Sequence, residues 1–222
     1  MIANPGTELS AITSEISVPY IDHEIALNSA RPGSQWQNAA TVTFCRDWQG
    51  KNADPERTTR VQLMWSAKTL YVRFECRYRE LFLFDDAEEG SRRDRLWERD
   101  VAEVFLQPDP KQPQFYKEFE ISPNGLWIDL DILPDGQIDL RSGMQGSVSL
   151  DRQRRTWSAE LAIPFRSLAA NFDPTSSWGA NFFRIEGADP RTYHAWQPTL
   201  TPHPDFHVPE AFGRLRFVPA PE

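Results

Sequence analysis

The stretch that decides the fold is Leu70-Tyr71-Val72-Arg73-Phe74-Glu75-Cys76-Arg77-Tyr78. Its even-numbered positions are apolar or aromatic, and three of the four odd-numbered positions carry a charge. A period of two is typical of a β-strand that has one face in the core and the other in water. The stretch therefore predicts a strand rather than a helix.

The same alternation recurs along the chain, and turn sequences separate the runs. It is clearest at 115–121, 126–132 and 157–163, with further strand candidates at 61–65, 101–107, 180–186 and 215–218. Ser122-Pro123-Asn124-Gly125 and Leu133-Pro134-Asp135-Gly136 have the composition of tight turns, so residues 115–138 are predicted to form a β-meander.

About ten short strands at this spacing predict an all-β protein. We expect an antiparallel β-sandwich of jelly-roll or immunoglobulin type, with short helical turns near 36–39 and 165–168. No internal repeat and no long linker interrupts the pattern, so residues 1–222 are predicted to form one domain.

The composition excludes several classes of partner. Lys and Arg number 24 against 32 Asp and Glu, which gives a net charge of −8. Nucleic acids and anionic membranes need clustered positive charge, so neither is expected as a partner.

Two cysteines are too few for a disulfide scaffold or a zinc cluster. No signal peptide or membrane span is recognisable, so we expect a soluble chain, either cytoplasmic or the mature form of an exported protein.

A tryptophan and two acids mark the start of one predicted strand. Trp97 precedes Asp100 by three residues and Glu103 by six, and Val104-Phe105-Leu106 follows. This stretch resembles the Trp-x-x-Asp-x-x-Glu-hydrophobic-Phe strand of family 9 carbohydrate-binding modules. Further pieces that resemble the same family follow in order at 115–125, 157–165, 178–184 and 196–213. The setting of the later tryptophan, Trp196-Gln197-Pro198, departs from the usual Trp-Asn-Asp, which is typical of a divergent branch.

The resemblance implies a site in which two indole rings clamp a terminal sugar. Trp97 and Trp196 match the two clamp positions, and Glu103 matches a residue that hydrogen-bonds sugar hydroxyls. Lys117, on the neighbouring strand, is added as a hydrogen-bond donor to a sugar hydroxyl. Asp86 is added as a loop acid that would bind a pair of hydroxyls. Sugar rings present C–H patches that stack on indole faces, while their hydroxyls need fixed polar partners.

The resemblance also bears on cofactors and partners. We expect non-catalytic binding of a mono- or oligosaccharide, alongside a carbohydrate-active enzyme, with no cofactor. Some members of the family bind structural calcium, and the carboxylates at 85–94 would supply oxygen ligands, although no Asp-x-Asp-x-Asp loop is present.

Three other functions remain open from the sequence. Glu103, Glu118 and Glu120 lie on adjacent predicted strands and suggest a glycoside hydrolase, but Glu118 and Glu120 are expected to lie outside any pocket. The same sandwich binds haem through Met and Lys in the γ subunit of ethylbenzene dehydrogenase, which would use Met64 or Met144 with Lys68 or Lys117. The third function is an interaction domain whose sugar site has decayed.

Overall fold

The computed structural model describes residues 14–86 and 88–219, and most of its regular structure is β-strand. Thirteen strands lie in these ranges: β1 Glu15–Val18, β2 Ala40–Phe44, β3 Thr59–Trp65, β4 Thr69–Arg77, β5 Val101–Gln107, β6 Tyr116–Ile121, β7 Trp127–Leu133, β8 Gly136–Asp139, β9 Gln145–Asp151, β10 Thr156–Pro164, β11 Ser177–Glu186, β12 Thr192–Ala195 and β13 Gly213–Phe217. The helical segments there are α1, Phe165–Leu168, and four short 3-10 turns at Ser34–Asn38, Pro55–Arg57, Leu96–Glu98 and Pro209–Ala211. The all-β prediction is confirmed.

The strands form two sheets that pack face to face. The larger sheet has eight strands in the order β1-β13-β11-β5-β6-β7-β8, with β12 paired to β11. The smaller sheet has the order β2-β3-β4-β10-β9. The ladders are antiparallel except for β1 and β13, which run parallel. The sandwich is confirmed, with this one departure from the antiparallel expectation.

The deciding stretch, most of which is β4, has one buried face and a second face that is buried over its first half. Leu70, Val72 and Phe74 point into the core between the sheets. On the opposite face Tyr71 packs with Trp36 and Met64 in a separate cluster, and the Tyr71 hydroxyl donates to Glu24 at 2.7 Å. The face expected to meet water is therefore covered around Tyr71, whereas Glu75 is half-buried and Arg77 is exposed as predicted.

The larger sheet also has two covered faces, and the outer one positions the candidate site. Its inner face contributes Val104, Leu106 and Phe182 to the core. Its outer face holds a second cluster that includes Phe105 and Phe183, beneath the connections 78–100 and 187–212. In the described ranges no helix has the length and apolarity needed to cross a membrane.

Candidate functional site

Strand register places three glutamates on the outer face of the larger sheet. Glu103 of β5 pairs with Glu120 of β6, so their side chains point to the same face, and Glu118 lies two residues along on that face. Because Val104 and Leu106 of β5 point into the inter-sheet core, the glutamates point the other way. They lie beneath the two long connections.

Trp97 is held at the rim of this face by the backbone around it. It lies in a 3-10 turn next to Leu96, which is fully buried in the outer cluster and anchors the turn. The Arg191 guanidinium donates to the carbonyl oxygens of Trp97 and Arg99 at 3.0 and 2.9 Å. These bonds tie the connection 187–212 to the connection 78–100.

Asp100 holds the first residue of the connection 187–212 in place. Its buried carboxylate accepts the N–H of Gly187 at 2.7 Å. Gly187 has a φ of 83°, and a Cβ there would lie 2.6 Å from the Glu80 carboxylate, so this turn requires glycine. Burial raises the pKa of Asp100 to about 6, and the nearby Arg184 opposes this shift. The turn that brings Arg191 to the site thus depends on the residue just before β5.

A cleft of about 350 Å³ opens between the two connections, and we call it the outer cleft. Trp97 and Tyr193, both half-buried, supply aromatic surface, and Glu103 and Glu118 supply carboxyl groups. The remaining lining residues are Gln137, Ile185, Arg191, Pro204, Asp205, Phe206 and His207. Aromatic surface beside a few polar groups is the usual composition of a small-molecule site.

The walls of the outer cleft are braced from behind. Phe206 stacks on Phe183 with ring centroids 4.1 Å apart. A nitrogen of His207 lies 2.7 Å from the hydroxyl of Tyr116, within hydrogen-bonding distance. Trp48 packs edge-on against Tyr193 at 6.2 Å. The lining residues are thus held in place by side chains of the outer cluster.

The glutamates beneath the cleft are buried without a matching cation. Glu103, Glu118 and Glu120 are 2%, 3% and 0% exposed, and each has at least one carboxyl oxygen without a hydrogen-bond partner in the described residues. Burial raises the pKa of all three, and the charge of Glu118 adds to the shift at Glu103 and Glu120. Arg191 acts in the opposite direction on Glu103. Glu118, expected to lie outside any pocket, instead lines the outer cleft.

Of the two expected clamp residues, the structure brings only Trp97 to the cleft. Trp196 is 6% exposed and belongs to the core between the sheets. Its ring packs on Phe182 at 5.5 Å and passes so close to Gly213 that a Cβ there would overlap it. The expectation that Trp196 forms a wall of an open slot is wrong, because its side chain points to the inner face of the sheet.

Two further expected site residues also lie outside the cleft. Lys117 faces away from Glu118 because neighbouring residues of a strand point to opposite faces, and it forms an ion pair with Asp131. Asp86 is exposed on the connection 78–100, where it pairs with Arg93 at 3.2 Å. Both expectations are therefore wrong, whereas Glu103 does lie with Trp97.

The residues considered for bound groups do not assemble a site. No three His, Cys, Asp or Glu side chains of the described ranges are arranged to hold a metal ion, so the calcium ligands expected at 85–94 do not fit. For haem, Met64 and Met144 lie inside hydrophobic clusters, Lys68 is exposed and Lys117 is ion-paired. None of these four residues lines the outer cleft.

Tyr193 and Arg191 are two of the lining residues that the sequence analysis missed. Tyr193 lies on β12 opposite Ile185 of β11, and both line the cleft. Alternation along 192–196 places Tyr193 and Trp196 on opposite faces of the sheet, and this signal could have identified the outward-facing ring.

The fold and the cleft define a β-sandwich protein with an aromatic-walled site on one sheet face. The model of the family described as carbohydrate family 9 binding domain-like matches residues 30–219, and the chain belongs to this family. It is 26% identical over 200 residues to a protein of Arthroderma benhamiae named extracellular protein, with 81% of this chain and 86% of that relative covered.

Solved structures share the architecture at low sequence identity. A family 9 carbohydrate-binding module from Caldicellulosiruptor kristjanssonii in complex with cellotriose has a TM-score of 0.65 at 16% identity, with 94% of this chain and 100% of that chain covered. A family 9 module of the same organism in complex with glucose has a TM-score of 0.64 at 14% identity, with 91% and 96% covered. A structure from Bacteroides uniformis has a TM-score of 0.71 at 14% identity, with 92% and 99% covered.

Proposed function

We propose that this protein binds a carbohydrate in the outer cleft, with one sugar ring against Trp97 and its hydroxyls near Glu103. The observation that carries the proposal is a half-buried indole in one cleft with buried carboxyl groups, whose oxygens include some that no described residue hydrogen-bonds. A cleft of about 350 Å³ falls within the range of about 300–1,000 Å³ that is common for small ligands.

Family membership supports the same ligand class. The family is described by carbohydrate binding, and two of the similar structures hold glucose and cellotriose. The site proposed here uses a single indole with Tyr193 as the second ring, in place of two indoles. A phenol ring offers a smaller apolar face than an indole, so we expect modest affinity for a single sugar unit.

We propose that binding is not followed by cleavage of the sugar. Glycosidases place two carboxyl groups on either side of the scissile bond, about 5–9.5 Å apart. Here Glu103, Glu118 and Glu120 all lie on two neighbouring strands beneath the cleft, so they approach a ligand from one side. We expect that incubation with cellotriose or chitosan oligomers releases no reducing sugar. The association with a carbohydrate-active enzyme stays a prediction.

Replacing Trp97 by alanine is expected to lower the affinity for the bound sugar at least about tenfold, because it removes the indole ring that lines the cleft. Calorimetric titration with cellotriose and with amino-sugar oligomers measures the effect. Phe115→Ala is the matched control, since Phe115 is 44% exposed and lies outside the outer cleft. Unchanged affinity in Trp97→Ala, with the protein folded, would exclude the proposed site.

A further inference from the structure

Two of the glutamates beneath the outer cleft differ from two other buried glutamates of this fold in having no arginine partner in the part of the chain that the structure describes. Glu160 pairs with Arg73 at 3.0 Å, and Glu186 pairs with Arg57 at 3.0 Å. Across the described ranges, neither Glu103 nor Glu118 forms a salt bridge, although both are more than nine-tenths buried and both line a cleft.

The Arg191 guanidinium lines the outer cleft but does not form an ion pair with these acids within the described part of the chain. Arg191 donates to two backbone carbonyl oxygens, and its Nε has no partner in the described residues. Its charge lies near Glu103, and the lining of the cleft also carries the carboxyl groups of Glu118 and Asp205. Burying a carboxylate without a cation or donors is costly, so a cationic ligand would be favoured here.

We propose that the outer cleft selects sugars that carry a protonated amino group, such as glucosamine units of a deacetylated chitin-type polymer, over neutral sugars. This inference rests on the proposed carbohydrate binding and names its substrate class. An ammonium group has three N–H donors, enough to reach both Glu103 Oε1 and Glu118 Oε2, which have no hydrogen-bond partner among the described residues. The faces of Trp97 and Tyr193 attract a cation as well as sugar C–H groups.

Binding of an ammonium group requires ionised carboxylates beneath the cleft. Burial favours the protonated form of these carboxyls in the free protein, so ionisation on binding releases a proton from the glutamate to solvent. The titratable and charged groups that face this cluster are Glu103, Glu118, Glu120, Arg191, Asp205, His207 and the Tyr116 hydroxyl. A neutral sugar does not require this ionisation.

The test compares D-glucosamine, D-glucose and N-acetyl-D-glucosamine by calorimetry at about pH 6, where the free amino group is protonated. Glucosamine is expected to bind at least about tenfold more tightly than the two neutral sugars. Glu118→Gln is expected to remove most of this preference. Glu15→Gln makes the same change at an exposed position of β1 that does not line the cleft, and it is expected to keep the preference.

Proton release gives a second readout that needs no variant. Titrations of the intact protein in two buffers of different ionisation enthalpy are expected to show net proton release with glucosamine and none with glucose. Equal affinity for glucosamine and glucose, or no proton release with glucosamine, would overturn the amino-sugar inference and leave carbohydrate binding standing. Failure to bind glucosamine, glucose and cellotriose alike would overturn the proposed function itself.

Discussion

Trp196→Ala is expected to lower the free energy of unfolding by about 3–5 kcal/mol, the usual cost of removing a buried aromatic side chain. The indole packs in the core against Phe182 and against the backbone at Gly213. Urea unfolding followed by circular dichroism measures the loss.

The comparison with Trp97→Ala separates the roles of the two indoles. Trp97 is half-buried at the cleft, so its removal is expected to change stability less than the removal of Trp196 while weakening sugar binding. Folded Trp196→Ala is expected to keep its sugar affinity. If Trp196→Ala unfolded like the wild type and lost binding, the assignment of this ring to the core would be wrong.

Glu120→Gln is expected to stabilise the protein at neutral and alkaline pH. Glu120 is fully buried, and burial together with the charges of Glu118 and Glu103 raises its pKa well above the ordinary value. A raised pKa in the folded state means that the stability from this group is fully present below the unfolded pKa of about 4.3 and is lost as the pH rises through the folded pKa. Each unit by which the folded pKa exceeds the unfolded pKa corresponds to about 1.4 kcal/mol of unfolding free energy.

The measurement is urea unfolding of the wild type and Glu120→Gln at about pH 5, 7 and 9. The unfolding free energy of the wild type is expected to fall as the pH rises. That of the variant is expected to fall less, because glutamine has nearly the same shape as glutamate and does not ionise. Glu15→Gln serves as the control because Glu15 is exposed on β1. If Glu120→Gln lost unfolding free energy with rising pH as steeply as the wild type, ionisation of Glu120 would not be the cause of the loss.

The strands that the sequence predicts and those that it misses differ in their place in the sheets. The alternating runs correspond to β3, β4, β5, β6, β7, β10, β11 and β13, which all lie inside a sheet. The missed strands are β1, β2, β8 and β9, which end the two sheets, and the short β12. Edge strands bury less surface, as in β8, where all four residues are exposed. The alternation of β1 covers only four residues, which is too short a run to stand out in the sequence.

The site residues show what a linear motif can and cannot specify. Trp97 and Glu103 share one short segment, and the local spacing correctly predicts that they lie together. Lys117 and Trp196 lie on other segments, and the face that each presents depends on strand register. A shift of one residue moves a side chain to the opposite face, so the order of motifs along the chain did not determine their orientation.

Sugar binding in the outer cleft is tested most directly by crystal structures of the protein from crystals soaked with cellotriose and, separately, with glucosamine. We expect a sugar ring stacked on Trp97, with a hydroxyl or amino group within about 3.2 Å of the Glu103 carboxyl group. A sugar bound elsewhere, for example in the groove of the smaller sheet lined by Arg60, Arg77 and Trp157, with the outer cleft free of sugar, would contradict the account.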